Sequence, residues 1–322
     1  MADMQTITAV MSAGKITAAD VKALEEKGFP DGITSQGEAE IVYRLDRDSS
    51  DRDPSWNQAY VDWLTEYYIW RTEPAGSVSE EQANHLIPNL LADGRISGET
   101  ELELLLNIVS WAHACAAGVG HLVLKVVWES VTGQPNPAYG LGRRPNVIDA
   151  VDVEILRKAI YAPSANGGIM VSRPEAELLF AMNNATSGSD NDPGWEPLFV
   201  NAIASHLMYP SATPSVTTTE QCARMKAAWE RQTQAGDLIE TIDNALLRGG
   251  EAAGIFGART LESQEDSALI QAAIDGPEAK WLLDQIKADG VLDRNERALL
   301  AYIRENSPCV DSSLDPLLAL AG

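Results

Sequence analysis

The sequence predicts an all-α protein made of two tandem copies of one helical bundle unit, related by internal duplication. Three observations support this fold class. The stretch SDRDPSW at Ser50–Trp56 returns almost unchanged as SDNDPGW at Ser189–Trp195. Apolar residues recur at spacings of three and four, as they do on the buried face of a helix. Capping residues precede several of these segments, and no stretch shows the sustained alternation that is typical of a strand.

The similarity extends to both sides of the repeated heptapeptide, and the offset changes only where a loop differs in length. Four blocks match in the same order: KITAADVKAL with VIDAVDVEIL at an offset of 132, EAEIVYRL with EAELLFAM at 137, YVDWLTEYYI with FVNAIASHLM at 139, and HLIPNLLADGRISGETELELL with WLLDQIKADGVLDRNERALLA at 196. We therefore predict a first copy over residues 1–142 and a second over 143–322. The last change of offset places an insertion of 57 residues in the second copy, at about 210–276.

Each pair of matching blocks predicts one helix per copy with a single buried face. In chain order, the buried positions are Val21 and Leu24 with Val153 and Leu156; Ile41, Val42 and Leu45 with Leu178, Leu179 and Met182; Val61, Leu64 and Tyr68 with Val200, Ile203 and Leu207; and Leu86, Ile87 and Leu90 with Leu282, Leu283 and Ile286.

Capping motifs predict where these helices begin, because a capping oxygen stands three residues before a carboxylate. The pairs are Thr17 with Asp20, Ser35 with Glu38, Asp149 with Asp152, Ser172 with Glu175, and Asp293 with Glu296. Asp53-Pro54 and Asp192-Pro193 predict an N-cap followed by proline at the first helical position. Trp56 and Trp195 are then expected to anchor those two helices to the core.

The insertion predicts an amphipathic helix at TTEQCARMKAAWERQ, followed by a glycine-rich loop at LLRGGEAAGIFGART. The first copy crosses the same point with about ten residues, from Arg71 to Glu80. Since the bundle needs no such excursion to close, we expect partner binding to depend on the insertion. We also expect proteases to cut near Gly249–Gly257.

The formal net charge of −23 restricts the classes of partner. Nucleic acids and anionic membrane surfaces are bound largely through Lys and Arg, so this charge argues against both and favours a basic protein or a cation. Cys115, Cys222 and Cys309 show neither CxxC spacing nor a Cys/His cluster, which predicts reduced thiols. The first residues lack a signal-peptide pattern, and the apolar run Ala114–Trp128 is too short to span a bilayer. We expect a soluble, cytoplasmic protein with a protein partner; the sequence leaves its oligomeric state open.

Three Asp-Gly turns are the first candidates for metal binding: PDGITSQGEAE, ADGRISGETE and ADGVLDRNE. In the third turn, Asp289, Asp293 and Glu296 fit positions 5, 9 and 12 of a calcium-binding EF-hand loop. Positions 1 and 3 hold Gln285 and Lys287 instead of carboxylates.

The turn at Asp93 fits less of the loop, with Asn89 and Thr100 at its first and last positions. The alternative for both turns is purely structural. Glycine in the left-handed conformation would end one helix, and Ser97 or Asp293 would cap the next.

The second candidate set is the loop before each DPxW motif. Asp51 and Asp190 stand two residues before the capping aspartate in both copies, and capping does not explain them. Clustered carboxylates attract hard cations. The alternative is a charge-rich solvated loop, because the second copy has Asn183 where the first has Asp46.

The hairpins LLADGRISGETELELL and IKADGVLDRNERALL resemble the ADGxIsxxE hairpins of TerB-like proteins, named for tellurite resistance. The resemblance covers two hairpins of about twenty residues each. It implies an all-helical fold with internally duplicated bundles, associated with metal-dependent stress-response systems. It also implies metal ligands at Asp93 with Glu99 or Glu101, and at Asp289, Asp293 and Glu296.

Motifs of catalysis are missing from the sequence, since the four histidines form no HExxH and neither a nucleophile elbow nor a phosphate-binding loop is present. We therefore expect a non-enzymatic, acidic, TerB-like binding or adaptor protein that responds to Ca²⁺ or another divalent cation. The alternative is an enzyme with its active site in the cleft between the two copies, closed by RGGEAAGIFGART.

Overall fold

The chain is all-α, as predicted. The computed structural model describes residues 3–92, 94–96, 98–133, 144–161, 171–208, 223, 226–227, 229–230, 274–288, 290–307 and 309–321. The elements with described bounds in those ranges are thirteen α-helices, two π-helical turns, two short 3₁₀ turns and one pair of two-residue strands. No helix in these ranges combines the length and the apolar character that crossing a lipid bilayer requires.

The helices are α1 (Met4–Ala13), α2 (Ala18–Ala23), α3 (Gln36–Asp48), α4 (Pro54–Glu66), α5 (Glu80–Leu90), α6 (Glu99–Trp111), α7 (Ala117–Val131), α8 (Ala150–Tyr161), α9 (Arg173–Thr186), α10 (Trp195–Met208), α11 (Gly276–Ile286), α12 (Arg294–Asn306) and α13 (Asp315–Leu318). The π-helical turns are Leu24–Gly28 and Tyr67–Arg71, the 3₁₀ turns are Ser312–Leu314 and Ala319–Ala321, and the strands are β1 (Ser77–Val78) and β2 (Ala114–Cys115).

The chain divides into two compact units. The first consists of Met1–Val119 with Val216–Asn244, and the second of Gly120–Ser215 with Ala245–Gly322. This division cuts α7 after Val119, whereas the sequence repeat predicts a boundary near residue 142. It also places part of the predicted insertion with the first unit. Most of the insertion, including Gly249–Gly257, lies outside the described residues.

Four helical pairs are closed in the same way. In each, the residue two positions before the first helix pairs with residues that follow the second helix by a few positions, so the two ends of the pair lie side by side. In three pairs the closure is a parallel bridge, which joins Ile16 to Arg52, Ser77 and Val78 to Ala114 and Cys115, and Ile274 to Val310. In the fourth pair, the N–H of Ile148 donates to the Asn191 side chain at 2.9 Å, and the carbonyl of Ile148 accepts from the N–H of Asp192 at 2.8 Å. The pairs are α2 with α3, α5 with α6, α8 with α9, and α11 with α12, two in each unit.

The predicted caps hold the starts of these helices. Thr17, Asp149 and Asp293 form reciprocal hydrogen bonds with the carboxylate three residues later, as predicted. Ser35 caps α3, but the Glu38 side chain turns to the N–H of Thr34. At α9 the Ser172 hydroxyl donates to Glu175 instead of accepting. Each such cap stabilises its helix by about 1 kcal/mol.

Two boundaries differ from the predictions by one or two residues. Asp53 caps α4 with Pro54 as its first residue, as predicted, whereas α10 begins at Trp195, two residues after Pro193. The N-caps Gly98 and Asp293 are separated by 195 positions, so the offset of 196 predicted for this block fails after the Asp-Gly turn. With the corrected offset, three buried residues of α6 match three of α12: Leu104, Leu105 and Ile108 with Leu299, Leu300 and Ile303.

The Asp-Gly turns have the predicted left-handed glycines. Gly94 and Gly290 have φ angles of 92° and 75°, a conformation that other residues rarely adopt. Ile96 closes the corner of its turn and is 3% exposed, while Leu292 is half-buried.

The cores of the two units use equivalent aromatic positions. Trp56 and Trp195 are fully buried, as predicted. Under the sequence offsets, the ring contacts of the first unit match those of the second: Trp56–Tyr60 at 6.3 Å with Trp195–Phe199 at 5.7 Å, Tyr43–Tyr60 at 6.0 Å with Phe180–Phe199 at 5.1 Å, and Tyr43–His85 at 6.3 Å with Phe180–Trp281 at 5.7 Å.

Candidate functional site

The carboxylates of the Asp-Gly turns that the structure describes serve as helix caps. Asp293 accepts from the N–H of Glu296 at 2.9 Å and from the Asn183 side chain at 2.6 Å, and Glu296 accepts from the N–H of Asp293 at 3.0 Å. Glu101 accepts from the N–H of Gly98 at 3.0 Å. These oxygens therefore satisfy N–H groups that a helix start leaves without partners.

The other proposed ligands are not brought to a common site by the described part of the chain. Asp51 and Asp190 are exposed, and Asp51 contributes its backbone carbonyl to the N–H of Ile16 at 2.9 Å. Asp93 and Asp289 lie outside the described residues. Among the residues described, no three or more His, Cys, Asp or Glu side chains are grouped so as to hold a metal ion.

A hydrogen-bonded chain of side chains runs through the core of the first unit. The Tyr43 hydroxyl donates to the Tyr68 hydroxyl at 3.1 Å, and Tyr68 lies 2.6 Å from Nδ1 of His85. Nε2 of His85 lies 3.5 Å from Oε1 of Glu40. Burial raises the pKa of Tyr43 well above its ordinary value and also raises that of Tyr68, so both hydroxyls stay protonated.

The second unit builds the same contacts without this polar chain. Phe180, Leu207 and Trp281 stand at the positions of Tyr43, Tyr68 and His85. Trp281 lies beside Glu177 as His85 lies beside Glu40, since Nε1 of Trp281 is 3.4 Å from Oε1 of Glu177. The fold can therefore be packed without the two hydroxyls and the imidazole.

A second difference between the units lies on α4 and the π-helical turn that follows it. We call Asp62, Glu66 and Trp70 the α4 face, because their spacing of four places them on one side. The pKa of Asp62 is raised to about 6, mainly by desolvation; a hydrogen bond from Gln58 at 2.9 Å opposes the shift, and the nearby charge of Glu66 adds to it. Arg71 donates to Glu66 at 2.9 and 3.1 Å.

The Asp62 carboxylate is partly buried, and this burial disfavours its ionised form. In the part of the chain described, no cation lies within ion-pair distance of it. The offset of 139 puts Asn201 and Ser205 at the positions of Asp62 and Glu66 in the second unit. An ionised group held against its own desolvation cost is a candidate for function.

Residues of the predicted insertion helix contact the α4 face. Ala223, Lys226, Ala227, Trp229 and Glu230 are helical, as predicted for this segment. Nζ of Lys226 lies 3.9 Å from Oε1 of Glu66, and the Trp229 ring lies 6.4 Å from that of Trp70. Both tryptophans are buried.

The sequence pattern predicts the insertion helix but not the α4 face. A signal was present, because Asp62 and Glu66 place two carboxylates at a spacing of four, whereas the matching positions of the second unit hold the uncharged Asn201 and Ser205. The residues that cover the α4 face lie about 160 positions further along the chain, and no local pattern connects the two.

No protein-family model matches the sequence, and neither a curated protein nor a solved structure matches it.

Proposed function

We propose that this protein is an acidic, non-enzymatic binding or adaptor protein of TerB-like character, built from an internally duplicated helical unit. Its first unit binds a basic protein partner. The observation that carries the proposal is the α4 face, where the first unit holds Asp62 and Glu66 and the second has Asn201 and Ser205.

The duplication is supported by equivalent contacts at aligned positions. Ile16 accepts from the N–H of Asp53 and Ile148 from that of Asp192, both at 2.8 Å, and both sit at positions that the sequence offsets match. The aromatic ring contacts follow the same offsets. Two copies of one unit allow one copy to keep the architecture while the other acquires binding groups.

The charge of the chain supports a basic partner. With a net charge of −23, long-range attraction favours the approach of positively charged proteins and raises their association rate. The local groups agree with this, because Asp62 has no cation beside it in the described residues, and a partner's Lys or Arg would remove the cost of its ionisation.

The response to a divalent cation is a further part of the proposal. Asp293, Glu296 and Glu101 accept hydrogen bonds from backbone N–H groups at the starts of helices. A cation at an Asp-Gly turn would have to share these oxygens with the backbone N–H groups, so we expect any cation to act on the stability of the turn.

Affinity capture by the full-length protein at low and high salt tests the proposal. We expect a basic partner that is retained at about 50 mM salt and released above about 300 mM, because screening weakens exposed charge pairs. The variant Asp62→Asn/Glu66→Gln should lose this partner when the complex is rebuilt from purified proteins.

The matched control is Asp190→Asn/Asp284→Asn, which removes the same charge from exposed positions of the second unit. It should keep the partner. Equal loss of binding in both variants, or no protein retained at low salt, would show that the α4 face is not a binding site for a basic partner.

A further inference from the structure

The α4 face is covered by a helix of the chain's own insertion, which shows what kind of ligand fits it. Lys226 approaches Glu66, and Trp229 packs on Trp70 at an interplanar angle of 45°. Lys226 and Trp229 are three residues apart, so they lie on one side of their helix. Since Glu66 precedes Trp70 as Lys226 precedes Trp229, the two segments run in the same direction.

The fit of this helix is incomplete. The indole N–H groups of Trp70 and Trp229 are buried, and neither has a hydrogen-bond partner in the described part of the chain. The Lys226–Glu66 pair at 3.9 Å is longer than a charge-assisted hydrogen bond of about 2.8 Å. Asp62, one turn before Glu66, meets no cation among the described residues.

We propose that the α4 face is a docking site for a basic amphipathic helix of a partner protein, and that the insertion helix around Lys226 and Trp229 occupies it until the partner displaces it. This inference rests on the proposed function and specifies its partner. The partner's helix carries an aromatic residue for Trp70 and, one to two turns before it, cations for Glu66 and Asp62.

The parallel direction of the two segments fixes where the second cation belongs. In a helical peptide of this sequence, position 222 is one turn before Lys226, as Asp62 is one turn before Glu66. The chain has Cys222 there, which is uncharged. A lysine at this position of a free helical peptide would add a cation for Asp62, so this peptide should bind the α4 face more tightly than the unchanged sequence does.

Tethering lets a weak ligand hold the site. A segment linked to the same chain acts at an effective concentration of about 1 mM. If the tethered segment binds the open face with a Kd of about 10 μM, it weakens the binding of a free peptide about 100-fold. Loss of the tethered tryptophan should remove most of that competition.

The experiment measures binding of fluorescein-labelled peptides to the full-length protein by anisotropy. The parent peptide is residues 217–233 with Cys222→Ser, and the second peptide has Cys222→Lys. We expect the parent peptide to bind Trp229→Ala at least 10-fold more tightly than it binds the wild-type protein. The Cys222→Lys peptide should bind Trp229→Ala a further 5-fold more tightly.

Two further variants locate the site. Adding Trp70→Ala to Trp229→Ala should abolish peptide binding. Adding the isosteric Asp62→Asn to Trp229→Ala keeps the packing and should remove only the gain that the lysine at position 222 provides. Equal peptide affinity of wild-type and Trp229→Ala protein, or a lysine gain that survives Asp62→Asn, overturns the inference.

These results are distinct from those that test the proposed function. If a basic partner is captured through Asp62 and Glu66 while Trp229→Ala binds neither peptide, the docking inference fails and the proposed function stands. If the peptides bind as expected while no partner is retained, the docking site stands and the adaptor function fails.

Discussion

Replacing Asp62 by asparagine should stabilise the protein at neutral pH. The substitution removes a partly buried negative charge and keeps an oxygen that accepts the hydrogen bond from Gln58. Desolvation raises the pKa of Asp62 to about 6 in the folded chain, against about 3.9 for an unperturbed aspartate. The difference corresponds to about 3 kcal/mol, which screening by solvent at this partly exposed position reduces to about 1 to 2 kcal/mol.

The effect has a defined pH window. Because the folded pKa is raised, the native state binds more protons than the unfolded state between about pH 4 and pH 6. This group therefore lowers the stability of the wild-type protein as pH rises through that window, and the loss is complete above pH 6. Asp62→Asn lacks the effect, so its advantage should be near zero at pH 4 and largest at pH 7 to 8.

Urea unfolding followed by tryptophan fluorescence at pH 4.5, 6 and 7.5 measures this difference. The control is Asp51→Asn, which removes one exposed charge from the same unit and should change the free energy of unfolding by less than about 0.5 kcal/mol. A stability gain for Asp62→Asn that equals the control, or that is as large at pH 4.5 as at pH 7.5, would refute the desolvation argument.

Three other predictions follow from the structure. Tyr43→Phe removes the end of the polar chain and should cost about 1 kcal/mol, whereas Tyr68→Phe leaves both the Tyr43 hydroxyl and Nδ1 of His85 without a partner and should cost about 2 to 3 kcal/mol; equal costs in urea unfolding would contradict the chain. A cation site with a Kd of about 10 μM should raise the free energy of unfolding by about 2.7 kcal/mol at 1 mM ligand, so thermal melting that is unchanged by Ca²⁺, Mg²⁺ and Mn²⁺ argues against the cation response. Limited proteolysis read by mass spectrometry should give a first cut near Gly249–Gly257; first cuts within α3 or α9 instead would show that the glycine-rich loop was misread.

Local signals predicted most of the fold. The starts of α2, α8 and α12 are set by side chains that bond backbone N–H groups within three residues. Because both partners are close in the chain, the sequence alone predicts these interactions. The sequence alignment did not predict the change of offset from 196 to 195 between the Asp-Gly turns and the helices α6 and α12, because the identical Ala-Asp-Gly segments align without a gap. The caps Gly98 and Asp293 show that the first unit has one residue more than the second between the glycine of the turn and the helix that follows.

The candidate site was harder to predict because carboxylates serve several purposes. Asp293 and Glu296 fit an ion-binding pattern and a capping pattern equally well by spacing, and the fold uses them as caps. Asp62 carries no motif at all. Its raised pKa arises from burial, and burial depends on the packing of distant segments that a linear pattern does not contain.

The side-by-side ends of the four helical pairs have a consequence for how this chain can change. The backbone hydrogen bonds between the two ends of a pair keep its helices together, so the segment that follows the pair is not needed for this. The stretch between α10 and α11 lies outside all four pairs, so it can lengthen while the α8–α9 and α11–α12 pairs stay closed. New segments can therefore be added between α10 and α11, and a helix within such a segment can pack on a surface that its connections allow it to reach.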